Sequence, residues 1–150
     1  VTGDAIDQHV SLQTSERLRE VLSSLGGSLL QYSRHCSPWV PHHAEPTLAA
    51  LMKLVERQGD SIREMAESLG INVVDFAARS SDDFTDMHYV SLDFLVERII
   101  ADQSRRVARL KADVVDLEIG LPPLARQILD REIVILDELR SLKRQLDNPP

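Results

Sequence analysis

The sequence predicts an all-α fold, a four-helix bundle with one long crossover between its second and third helices. Three observations carry that reading. Apolar residues recur in alternating steps of three and four along four separate stretches, which returns them to one helix face. Aromatic residues make up only 4% of the chain, few for a packed β core. The connection between the second and third stretches is far longer than the other two.

Residues 1–13 are weakly patterned and read as a flexible N-terminal arm. A single bundle domain spans 14–146, and 147–150 is a tail. Thr14-Ser15-Glu16 suits a helix start, with the acid near the positive end of the dipole. Leu18, Leu22, Leu25, Leu29, Tyr32, Cys36 and Trp39 follow as the first seam, and Pro38 and Pro41 stop it near Trp39. Gly26-Gly27 lie mid-helix, where each glycine costs about 1 kcal/mol relative to Ala. They fit close packing or a slight bend.

Pro46 suits the first turn of the second helix. Its seam is Leu48, Leu51, Val55, Gln58, Ile62, Met65 and Leu69, closed by Gly70. Val73-Val74 is the one stretch with an extended look, and it has nothing to pair with. The third helix begins between Thr85 and Ser91, with Thr85-Asp86 as a good cap and His88 in the first turn. Val96, Ile100, Gln103, Val107, Leu110, Val114 and Leu117 form its seam, broken by Gly120 and Pro122-Pro123. Ala125, Ile128, Glu132, Ile135, Leu139, Leu142 and Leu146 form the fourth.

Short first and third connections make helices 1 and 2, and helices 3 and 4, antiparallel neighbours. The middle connection has roughly 20 residues, and at ~3.3 Å each it reaches over 60 Å. A helix of about 24 residues is only ~36 Å long. The chain can therefore return along the whole bundle and start helix 3 at the far end, parallel to helix 2.

Composition narrows the function. The 150 residues carry a net charge of −7 and a pI of about 5.2, so no nucleic-acid partner is expected. No apolar run reaches the ~20 residues that span a bilayer, so no membrane partner is expected either. The lone cysteine, Cys36, excludes an internal disulfide framework. With no export signal in view, a cytoplasmic location is the expectation.

Three seams are interrupted by an inward polar residue near mid-helix: Gln58, Gln103 and Glu132. Burying each without a partner costs a few kcal/mol, so they are expected to meet one another, water or an ion. Long crossover plus mid-bundle polar layer resembles the ferritin-like superfamily, which includes bacterioferritins, rubrerythrins and the DNA-protecting mini-ferritins. Leu30-Gln31-Tyr32 and the run from Leu129 to Leu139 carry the local likeness. The resemblance implies two irons held by a Glu from each of two helices and a Glu-x-x-His from the other two.

The departures weigh against that centre. The fourth helix has Glu132-x-x-Ile135 and the second Glu56-x-x-Gly59, both without histidine. The third offers Asp102 or Gln103 where a Glu is expected. Two irons need roughly six oxygen or imidazole ligands. The mini-ferritin layout, a His-Trp in helix 1 with an acidic pair in helix 2, has a counterpart in His35-Cys36-Ser37-Pro38-Trp39 and Arg63-Glu64-Met65-Ala66-Glu67. There a cation replaces an acid.

The expectation is a vestigial polar layer of Glu56, Gln58, Asp102, Gln103 and Glu132, with no cofactor, no catalytic residue and a task of self-association or partner binding. A homodimer is expected, because Tyr32, Trp39, Phe76 and Phe84 exceed what the seams need. The alternative is a metal-binding protein or oxidoreductase that holds iron, manganese or zinc at Glu56, Asp102 and Glu132, or at His35, His42 and His43. A His88-Asp86 pair has no nucleophile beside it. Ser104-Arg105-Arg106, Arg109 and Lys111 read as a solvated basic face.

Overall fold

The structure, a computed structural model, describes residues 15–70, 84–117 and 122–149. Among these it is all-helical, without strands. The helices are α1 (15–26), α2 (Leu29–Tyr32), α3 (Glu45–Ser68), α4 (Leu92–Leu117) and α5 (Pro122–Asp147), joined by short 3-10 turns at Ser33–His35, His42–Ala44 and Thr85–Met87. The N-terminal arm, Val73-Val74 and Phe76 lie outside the described residues.

The first predicted helix is not continuous. It breaks after Gly26-Gly27, where Ser28 turns extended (ψ 157°) and caps α2 by accepting the Gln31 N–H at 3.2 Å. Two glycines in succession weaken the helix, and a serine that follows offers the backbone an alternative partner. The chain then leaves helical geometry at Cys36. Trp39 is therefore not on a seam: it is 69% exposed, and its backbone forms an isolated parallel bridge with Ser91.

Proline in its first turn opens α3. Gly70, at φ +68°, closes it with its N–H on the Glu67 carbonyl at 3.1 Å. Helix α4 starts later than Thr85-Asp86 suggests. Those residues form a 3-10 turn, and Ser91 Oγ accepts the Phe94 N–H at 3.2 Å.

The core falls into two clusters. One holds Leu18, Leu22 and Leu25 with Ile62, Met65, Val107, Leu110, Ala125 and Ile128. The other holds Leu29 and Leu30 with Leu51, Val55, Leu92, Val96, Ile99, Ile135 and Leu139. Thus the first halves of α3 and α4 share one cluster, and their second halves share the other. Between the clusters, in each chain segment, stands a buried polar residue: Ser28, Gln58, Asp102 with Gln103, and Glu132.

Candidate functional site

Gln58, Gln103 and Glu132 meet. Seam spacing aims all three inward, and each is at most 2% exposed. Gln58 Nε2 donates to Glu132 Oε2 at 2.8 Å, and Gln103 Nε2 donates to the same oxygen at 2.7 Å. Gln103 Nε2 also reaches the Glu132 backbone carbonyl at 3.2 Å. The Gln58 carbonyl turns away from Glu132 and accepts from Gln31 Nε2 at 2.9 Å and Ser28 Oγ at 3.3 Å. Gln31 in turn donates to the Val55 carbonyl and accepts from Arg34. Buried Gln103 Oε1 has no hydrogen-bond partner among the described residues.

Burial pushes the Glu132 carboxyl above its ordinary value. Hydrogen bonds from Gln103 and Gln58 and the charge of Arg106 pull it partway back. Desolvation wins because the two amides are neutral donors, and Arg106 is engaged elsewhere.

Arg106 belongs to a second network. Asp102 Oδ2 accepts the Leu29 N–H at 2.9 Å and Arg106 Nε at 2.8 Å, and Oδ1 accepts from Arg105 at 3.2 Å. Arg106 reaches on to the Ser24 carbonyl at 2.7 Å and to its hydroxyl at 2.9 Å. Asp102 thus stands at the start of α2, where the helix break leaves an N–H that needs an acceptor. Of the predicted basic face, Arg105, Arg109 and Lys111 are exposed, whereas Arg106 is half-buried and turned into this network. An Asp-Arg pair four residues apart on one helix is the sequence signal that marks it.

The remaining candidates do not join this layer. Glu56 is exposed, because it lies two residues from Gln58 and so on another face. His42 and Glu45 approach at 3.4 Å on the surface, and His35 and His43 are exposed. Among the described residues no three His, Cys, Asp or Glu side chains are grouped to hold a metal ion. The ligand set of a di-iron centre therefore does not fit the layer. One carboxylate oxygen faces two N–H donors, and the second acid is held by arginine and backbone.

Cys36 is half-buried and its thiol is pushed up by burial, so it is not a ready thiolate. His88 is not in a first helical turn. Its Nε2 sits 2.6 Å from the Tyr32 hydroxyl, and Tyr32 packs on Phe84. A shallow groove of about 340 Å³ runs between α4 and α5 over Glu97, Ile100, Arg140, Lys143 and Arg144. No helix among the described residues is long and apolar enough to cross a membrane.

No protein-family model, curated protein or solved structure matches this chain.

Proposed function

We propose that the chain is a ferritin-like bundle whose central layer is a hydrogen-bonded polar patch in place of a di-iron centre, and that it acts without catalysis, through self-association. The observation that carries this reading is the pair of amide N–H groups on one Glu132 oxygen. A metal ligand offers lone pairs to the ion; here the lone pairs of Glu132 Oε2 are directed at amide hydrogens. Membership of the two core clusters supports the ferritin-like order, since parallel α3 and α4 give the connection between them the length of the bundle to cover. Among the described residues three of the five aromatic side chains, Trp39, Tyr89 and Phe94, stand exposed, which supports association as the task.

Metal analysis of protein purified without chelator, paired with thermal melts with and without chelator, tests the reading. Metal content well below stoichiometric and superimposable melts are expected. Near-stoichiometric iron, manganese or zinc that is lost in Glu132→Gln would overturn it.

A further inference from the structure

The two buried amides have their orientations fixed by groups that can play only one role. Gln103 Nε2 lies 3.2 Å from the Glu132 backbone carbonyl, which can only accept. Gln31 lies between the guanidinium of Arg34, a donor only, and the Val55 carbonyl, an acceptor only, so its Nε2 is the atom that faces Gln58. Gln58 must then accept from Gln31 and turn its own Nε2 to Glu132. Neither Gln58 nor Gln103 can flip without setting donor on donor or acceptor on acceptor.

Glu132 Oε2 therefore accepts two N–H groups, at 2.8 and 2.7 Å, and a proton on this carboxyl belongs on Oε1. Gln103 Oε1 is a buried acceptor that has no donor among the described residues, and a buried orphan of this kind calls for one. A carboxyl and a primary amide carry their two polar atoms at similar spacing. An amide N–H set on one carboxyl oxygen thus brings the amide carbonyl toward the other.

The groups that meet Glu132 are neutral. From α3 it meets Gln58, with Ser28 behind it, and from α4 Gln103. Arg106, on α4, acts on it only through its charge, since its guanidinium is bound to Asp102 and Ser24. Asp102, the other buried acid, is turned to that arginine and to the Leu29 N–H. Burial pushes the Glu132 carboxyl up accordingly.

We infer that Glu132 is a buried proton-binding site, held by the folded chain as the neutral acid with its proton on Oε1 and donated to Gln103 Oε1. The inference rests on reading the layer as a hydrogen-bonded patch, and it adds the hydrogen that completes the patch. It also makes the layer responsive to pH. When the proton leaves to solvent as pH rises, Gln103 Oε1 faces a carboxylate oxygen, acceptor against acceptor, between the two hydrophobic clusters.

The test is carbon NMR of the side-chain carboxyl and amide carbons of the whole chain, with Glu132 assigned by its loss in Glu132→Gln. At about pH 6, where ordinary carboxyls are ionised, Glu132 Cδ is expected at the position of a protonated acid. It should move to the ionised position as pH is raised and return on acidification. Gln103 Cδ should move in step, at least about twice as far as Gln58 Cδ, whose carbonyl accepts from Gln31 and Ser28 instead. A Glu132 carboxyl already ionised at pH 6 in metal-free protein overturns the proton site and leaves the hydrogen-bonded patch standing. A protonated Glu132 with Gln103 Cδ moving no further than Gln58 Cδ overturns Gln103 as the acceptor. Stoichiometric metal bound at Glu132 overturns both the proton site and the patch.

Discussion

Glu132 is one carboxyl surrounded by apolar seam residues, and its behaviour follows from which atoms face it. From sequence alone, replacing it by leucine looks harmless, since an apolar residue would complete the seam. The contacts reverse that expectation. Glu132→Leu leaves Gln58 Nε2 without its acceptor and Gln103 Nε2 with only a backbone carbonyl at 3.2 Å. An orphaned buried donor costs about 1–3 kcal/mol, so Glu132→Leu is expected to lower stability by roughly that amount in urea titrations. Glu132→Gln keeps an acceptor for both amides and should be tolerated. The pH dependence of this pair of proteins follows by linkage. The folded-state value of Glu132 is raised, so its protonated form is favoured in the folded chain. That contribution is fully present below the unfolded carboxyl value and is lost as pH rises through the raised folded value. The advantage of Glu132→Gln over wild type should therefore grow as pH rises through that window. Melting temperatures that differ by a constant amount from acid to neutral pH would contradict the raised value. The inward position of Glu132 was legible from its spacing to Ile128 and Ile135. Its partners' orientation was not, because an amide presents either an N–H or a carbonyl and the sequence does not say which.

At the scale of the element, the break between α1 and α2 is where sequence reading and structure part. A seam of Leu18, Leu22, Leu25 and Leu29 continues straight across it, since all four are buried. Periodicity reports which face is buried and is blind to a local turn that preserves the face. The signals of the break are Gly26-Gly27 followed by Ser28, and they count only once Asp102 is seen on the Leu29 N–H. That contact joins residues 73 apart, beyond the reach of any local rule. Asp102→Ala removes the acceptor of Leu29 and the counter-ion of Arg106 together. Breaking a buried ion pair from one side costs about 3–5 kcal/mol, and the loss should appear as a lower urea midpoint with amide exchange accelerated first in α2. Asp102→Asn keeps one acceptor and should recover part of it. If both variants are as stable as wild type, the α2 cap is not what holds the break. Gly70 is the converse case, an element end read correctly from sequence. A Cβ added there would meet nothing within 4 Å, while φ is +68°. Gly70→Ala should therefore cost about 1 kcal/mol through backbone strain alone.

For the molecule as a whole, the buried polar residues stand between the two hydrophobic clusters of an all-helical fold. The members of this layer are Ser28 at the break after α1, Gln58 on α3, Asp102 and Gln103 on α4, and Glu132 on α5. Removing a single member leaves unpaired groups, whereas removing the interacting set together leaves few. Gln58→Leu/Gln103→Leu/Glu132→Leu deletes both donors along with their acceptor, and Gln31 keeps its bond to the Val55 carbonyl. Well-packed apolar replacement of buried polar clusters is often neutral or stabilising by about 1–4 kcal/mol. The triple variant is therefore expected to equal or exceed wild type in stability, although Glu132→Leu alone falls below it. This sign change is the signature of a network whose members act on one another. It should also lose the Glu132-linked pH dependence, because the titrating group is gone. Should the triple variant instead be less stable than Glu132→Leu, the side chains would be packing for shape rather than satisfying each other. The layer would then be fixed by volume and not by hydrogen bonding.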